Sequence, residues 1–426
     1  MISHEPSGIR KVITAVVAIA HAMTTRAVAR HRAGDGANSN RRNAANLSST
    51  GWKASLIKIL GKEKRSIWFF LAVGRHILES WTEQGGMMDL KVLEENCEWH
   101  PRDVADETLW TEVLDRGDQE ELDQALRHAL TVSADVLEVQ REDFPLPGLA
   151  PRLKRIEDEL ISGRGFVRLR GIDRSRYDQN EMEFLYWGIG MHLGRPWPQN
   201  HKGHLLGDVV DQGKDVNDPN VRGNEIGGMA LPFHCDGSDL VGLMCLQAGA
   251  SGGLSMIANS VAIHNRLVRE RPELAEALYQ PQPNDFRGEQ REGQKGWYEI
   301  PVFTQWEGRL FCRCIPPYIL ASQRHADAPR LSAEAREGLE FLVAMADSPD
   351  GHMSMELLPG DMQFINNYHV LHGRSAYTDQ AGGGGTRHLK RLWLETEVLT
   401  SRPIWFHNHA GDHWGRQRTA SRLRTE

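Results

Sequence analysis

The sequence has no apolar run of the ~18 residues that a membrane-spanning helix needs. Its two longest candidates, 13–22 and 67–73, are too short, so no membrane partner is expected. Cysteine is scarce. The five residues Cys97, Cys235, Cys245, Cys312 and Cys314 form an odd, scattered set with no Cys-x-x-Cys pair. That argues against a zinc knuckle or a disulfide framework, and a reducing, cytoplasmic setting fits this usage. No internal repeat is visible. A net positive balance is missing from most of the chain. The formal net charge is −7, yet residues 1–66 hold 12 Lys/Arg against 3 Asp/Glu. That balance of +9 leaves −16 for the remainder, which argues against nucleic acid as a partner of the main domain. With 40% hydrophobic and 25% charged residues over 426 positions, the chain has the composition of a globular protein with a sizeable core.

What is present centres on 231–239, where His234 and Asp236 stand two residues apart among apolar neighbours. On an extended strand, positions i and i+2 point to the same face, so both side chains can reach one metal ion. Cys235, between them, points away by alternation and reads as packing. With 19 His and 57 acidic residues, His-x-acid matches also arise by chance. His325-Ala326-Asp327, in a polar run, reads as a solvated loop. Downstream, 359–374 reads as a turn, a strand and then a histidine, with His369 and His372 both candidates for a third ligand. On a strand these two point to opposite faces. In 386–394, Arg387 and Arg391 share one face of an expected strand. Trp393 shares that face and reads as packing.

Motifs, order and context together resemble the TauD/TfdA family of Fe(II)- and 2-oxoglutarate-dependent dioxygenases (clavaminate synthase-like), over roughly residues 88–397. The resemblance implies that His234, Asp236 and His372 ligate iron. The His372-Gly373-Arg374 match decides for His372 over His369. Two imidazoles and one carboxylate leave positions for 2-oxoglutarate and O2. The resemblance also makes Arg387 the anchor of the distal carboxylate of 2-oxoglutarate, as a guanidinium binds carboxylate bidentately. Arg387 lies 15 residues beyond His372, somewhat further than in the family, and Gly382-Gly383-Gly384-Gly385 takes up the extra length. Gly252-Gly253-Leu254-Ser255 resembles the family's Gly-Gly-Asp-Thr element, with Ser255 where a Thr hydroxyl contacts 2-oxoglutarate. Arg391 resembles a second family Arg that faces substrate or cosubstrate.

The activity so implied is hydroxylation of a small organic acid or amino-acid-like molecule, with release of succinate and CO2. Halogenating relatives replace the metal-binding carboxylate with a small residue, and this sequence keeps Asp236. Relatives act on sulfonates, aryloxy acids, betaines and amino-acid-derived antibiotic precursors, and the substrate itself is not legible. Two other readings stand beside this one. A cupin-like metalloenzyme that does not use 2-oxoglutarate would give Arg387 no role. A catalytically silent jelly-roll would serve as a binding protein.

The expected fold is mixed α+β: a double-stranded β-helix (jelly-roll) core with flanking helices. Residues 1–86 read as a basic extension, either a disordered arm, an organelle transit peptide or sequence upstream of the true start. Met87-Met88 favours the last. Residues 87–162 read as a helical flank of the catalytic domain, 163–400 as the jelly-roll and 401–426 as a tail. Helices are expected at 57–77, 119–130, 152–161, 181–193, 260–278 and 332–345. Strands are expected at 163–171, 240–246, 302–305 and 309–314. Loop 198–206 is placed near the mouth of the site, with Asn200 and His204 as substrate-side candidates. The Asp-, Asn- and Gly-rich segment 208–228 is placed as a substrate lid.

Overall fold

Residues 240–247 are apolar at almost every position, and strands read that way when both faces are covered. In a computed structural model, which describes residues 90–94, 97–379 and 385–403, this strand is central in a sheet with packing on both sides. The chain divides into Met1–Met88 and Asp89–Glu426. The helix expected at 57–77, the extension at 1–86 and the tail beyond 403 lie outside the described residues.

Among the described residues the strands run in chain order as β1 Thr111–Val113, β2 Phe166–Arg170, β3 Arg195–Pro196, β4 Leu206–Val210, β5 Leu231–His234, β6 Leu240–Gln247, β7 Ser251–Gly252, β8 Ser255–Asn259, β9 Pro281–Asp285, β10 Trp297–Pro301, β11 Phe303–Trp306, β12 Arg309–Cys312, β13 Met353–Met355, β14 Met362–Asn366, β15 Val370–Arg374, β16 Tyr377–Thr378 and β17 His388–Glu395. The helices are α1 Arg116–Val132, α2 Ala150–Ser162, α3 Gln179–Leu193, α4 Ser260–Glu270, α5 Pro272–Tyr279, α6 Pro316–Ala321 and α7 Ala333–Asp347.

The larger sheet has the order β1-β2-β14-β6-β17-β3, with β4 also paired to β17. The smaller has the order β13-β8-β15-β5. All these pairings are antiparallel except β1 with β2. Strand alternation sorts the side chains. Leu240, Met244 and Leu246 of β6, with Leu392 and Leu394 of β17, pack against α1, α2 and α3. Val241, Cys245, Leu389 and Trp393 point the other way and meet Ile257, Met355 and Val370 of the smaller sheet. The outer face of the smaller sheet packs on α4, α5, α7 and the β11–β12 hairpin. Each fully buried large apolar side chain contributes roughly 1.5–3 kcal/mol relative to exposure. The inner faces of the two sheets therefore enclose a water-poor space, and the candidate residues converge there. At Gly242 a Cβ would come within 2.6 Å of the Tyr186 hydroxyl. The absent side chain lets that hydroxyl accept the Leu392 backbone N–H.

Two elements differ from expectation. The helix expected over 260–278 is two helices, α4 and α5. Pro272 disfavours helical backbone at the preceding residue, and Arg271 sits at φ −144°, ψ 65°. The flank expected to be helical also carries β1, which adds a parallel edge strand to β2. Its three residues are too few for periodicity to reveal. The helix at 332–345 matches α7, with Ser332 accepting the Ala335 N–H at its N-terminus.

Candidate active site

β5 and β15 run side by side, and His234 and His372 face each other in register. Their ring centroids are 4.2 Å apart. The Nδ1 of His234 lies 2.8 Å from the Pro232 carbonyl. As donor to that carbonyl it leaves Nε2 as the free nitrogen, aimed inward. Asp236 is not on the strand as expected, because β5 ends at His234. Backbone bonds turn the chain there. Cys235 N–H donates to the Cys314 carbonyl, and Asp236 N–H donates to Asn367 Oδ1 at 2.7 Å. Asn367 Nδ2 donates back to the carbonyls of Asp236 and Ser238, and Arg313 donates to those of Cys235 and Asp236. The turn brings the Asp236 carboxylate back over the histidines, with Oδ1 4.0 Å from His234 Nε2 and Oδ2 3.6 Å from His372 Nε2. The three donor atoms lie within 4.8 Å of one another, and no other group of this kind occurs among the described residues. Asp236 and His372 are 6% and 8% exposed. Cys235 is buried against Cys312 and Cys314, as expected for packing.

The carboxylate is held from behind. Arg391 Nη1 donates to Asp236 Oδ2 at 3.2 Å, and Arg391 Nε donates to Gln199 Oε1 at 2.8 Å. Burial alone would raise the Asp236 carboxyl; Arg391 first, then His372 and His234, outweigh it and hold the group well below the usual carboxylate range. Burial pushes the His234 imidazole down to about 4, with His372 adding to the effect, so the ring is neutral and fit to ligate at pH 7. Trp393 corrects its reading as packing: its indole N–H donates to Asp236 Oδ2 at 2.9 Å. The signal was available, because Trp393 follows Arg391 by two positions on one strand and so shares its face. Trp393→Phe keeps the bulk and removes the donor. We expect roughly 10-fold weaker iron binding, the low end for losing a group that orients a ligand, with the melting temperature little changed. Titration calorimetry and thermal melts measure the two effects.

Arg387 is buried, and its Nη2 donates to the Gly253 carbonyl at 3.0 Å. Gly253 has φ +71°, and a Cβ there would lie 2.6 Å from Arg387 Nε. This glycine is what lets the guanidinium pass. Burial lowers the Arg387 pKa. Ser255 is buried on β8, in register with Arg374, and its hydroxyl donates to Gln363 Oε1 at 2.8 Å. Asn200 and His204 bond each other at 3.1 Å in a turn where His204 is exposed. The side chain of that loop which reaches the triad's support is Gln199. His369 lies in the turn before β15, with its ring 3.1 Å from the Leu310 carbonyl, away from the triad. His325 pairs with Asp285 at 3.1 Å, whereas Asp327 is exposed near Lys295.

Two imidazoles and a carboxylate, converging between two sheets with a buried guanidinium nearby, define a mononuclear non-haem iron oxygenase site. The family model for the taurine catabolism dioxygenase TauD, TfdA family matches residues 119–393, a span that contains every residue of the site. The chain belongs to that family and is an Fe(II)- and 2-oxoglutarate-dependent dioxygenase. It is 30% identical over 329 residues to FR-33289 synthase of Streptomyces rubellomurinus, an alignment covering 76% of this chain and 95% of that protein. The fold is shared with asparagine oxygenase, solved with Fe(II), 3-hydroxyasparagine and succinate (TM-score 0.52, 19% identity, 69% of this chain and 97% of that one). It is also shared with the non-haem iron oxygenase OrfP, solved with Fe and alpha-ketoglutaric acid (TM-score 0.50, 18% identity, 68% and 95%). No helix among the described residues is long and apolar enough to cross a membrane.

Proposed function

We propose that His234, Asp236 and His372 hold Fe(II), and that Arg387 fixes the distal carboxylate of 2-oxoglutarate. The enzyme would then hydroxylate a small organic acid or amino-acid-like substrate. In this reading the facing sheets are the two halves of a jelly-roll, and the triad sits between them. The observation that carries the proposal is the convergence of two imidazoles and one carboxylate, with their donor atoms within 4.8 Å of one another. A site of two imidazoles and one carboxylate suits ferrous iron. Bound there, the metal supplies oxidative chemistry: one oxygen atom of O2 goes to a substrate C–H bond, the other to succinate, and CO2 leaves.

The protein's own contribution is position and exclusion of water. The Asn367 and Arg313 bonds fix the Asp236 backbone, and Arg391 and Trp393 fix its carboxylate. The Val241, Ile257 and Leu389 side chains keep the space apolar. An acidic substrate is supported by Arg222, from the expected lid segment. Its side chain is 15% exposed and pairs with Glu289 at 3.4 Å. Electrostatically it acts on Tyr318, Glu289 and Asp236. Arg391 bonds Asp236 and Arg222 lies within its electrostatic reach, so two cations act on the metal ligand. A biosynthetic role over a catabolic one is favoured by the 30% identical relative, which is named as a synthase. The test is a panel of sulfonates, carboxylates and amino acids, together with neutral and cationic analogues, with Fe(II), 2-oxoglutarate and O2. Succinate should form in step with a product heavier by one oxygen for an anionic member of the panel. Turnover confined to neutral or cationic compounds would overturn the acidic-substrate reading.

A further inference from the structure

Arg374 is a buried cation that the site described above leaves without a role. It follows His372 by two positions on β15, so its side chain leaves the same face of the strand. It is 5% exposed and stands in register with Ser255. Its Nη2 donates to the carbonyls of Ile226 (3.2 Å) and Met229 (2.7 Å), just before β5. Its Nε is buried without a partner. The guanidinium carbons of Arg374 and Arg387 lie 4.8 and 5.2 Å from the centroid of one ring, that of Tyr377. Among the described residues neither guanidinium forms an ion pair. Asp211 bears on Arg374 and Asp379 on Arg387 only through longer-range electrostatics.

Two buried cations around one ring repel each other, and such an arrangement is unfavourable unless an anion joins it. Nε shares an edge with Nη2, and an Arg that served only to tether two carbonyls through Nη2 would not leave that Nε buried and unsatisfied. We propose that Arg374 and Arg387 together clamp the distal carboxylate of 2-oxoglutarate. Arg374 then links the bound cosubstrate to residues 226–229. The inference rests on the reading of Arg387 as cosubstrate anchor. One part of the Arg374 guanidinium answers the ligand and Nη2 holds the segment that carries Arg222. Cosubstrate binding therefore firms the wall against which the substrate docks.

The experiment uses the full chain with Fe(II) under anaerobic conditions and two ligands. 2-Oxoglutarate has a distal carboxylate; 2-oxobutanoate has the same keto-acid head without it. Affinity is read from the charge-transfer absorbance, and protection of residues 226–229 from amide hydrogen exchange. In the unaltered protein only 2-oxoglutarate should raise protection at 226–229. Arg374→Lys and Arg374→Gln should weaken 2-oxoglutarate roughly 10- to 100-fold, the size of a lost hydrogen bond to a charged group. Binding of 2-oxobutanoate should change little. An unchanged ratio of the two affinities in both variants would overturn the clamp. Equal protection of 226–229 by both ligands in the unaltered protein would overturn it without any variant. If Arg387→Ala lowers the ratio and the Arg374 variants do not, this inference fails while the anchor stands. If Arg387→Ala leaves the ratio unchanged, the anchor itself fails.

Discussion

His372→Ala is expected to abolish Fe(II) binding while the protein stays folded. His372 projects from the middle of β15, whose backbone pairs with β5 on one side and β8 on the other. Those pairings do not depend on the imidazole. Its Nδ1 has no hydrogen-bond partner, so truncation strands no donor or acceptor there. What is lost is one of only three converging donors. The effect on affinity should exceed the ~10- to 100-fold typical of removing a group that merely orients a ligand. His234→Ala should behave in the same way, since its other ring nitrogen bonds a local carbonyl only. Asp236→Ala is a less clean test. It would leave Arg391 buried and unpaired, and breaking a buried pair costs about 3–5 kcal/mol, so folding and iron binding would fall together. Calorimetric titration with Fe(II), run beside a thermal melt, separates the cases. Iron affinity equal to that of the unaltered protein in both histidine variants would remove these residues as ligands.

The site's outline was legible because its parts are short and ordered along the chain. Strand alternation put Arg391 and Trp393 on one face of β17, whereas Arg387, expected on the same strand, stands just before its first residue. What stayed hidden is tertiary. Asp236 reaches the histidines from a turn, because Asn367 and Arg313, 131 and 77 positions away, bond its backbone. No local pattern encodes bonds of that span. Gln199 was overlooked for the same reason. Its role exists only through Arg391, 192 positions on, while its polar neighbours Asn200 and His204 drew attention by type alone. The α4–α5 break was under-read locally. Pro272 signals a boundary, but the apolar stripe continues across it, since both helices pack on the same smaller sheet.

Arg387→Ala is expected to cost 2-oxoglutarate most of its affinity. A carboxylate that enters a nearly water-free space is unfavourable unless a cation meets it. Truncating one partner of such a pair costs about 2–5 kcal/mol, a roughly 30- to 5000-fold weaker Kd. Arg387→Lys should recover only part of this, because an ammonium keeps the charge and loses the fork. Gly253→Ala should imitate the loss without touching the charge, since its Cβ would sit 2.6 Å from Arg387 Nε and displace the guanidinium. Arg391→Ala should differ from all three. The expectation from resemblance is a weaker primary substrate, but Arg391 is bonded to Asp236 and Gln199. Its removal should first loosen the iron and raise the Asp236 carboxyl, and only through these weaken either organic ligand. Anaerobic titration of 2-oxoglutarate into the Fe(II) protein, followed by charge-transfer absorbance, orders the variants. If Arg391→Ala alone loses the cosubstrate, the two arginines have exchanged roles. If no variant changes the titration, the reading of the last strand, with Arg387 as the cosubstrate anchor, is wrong.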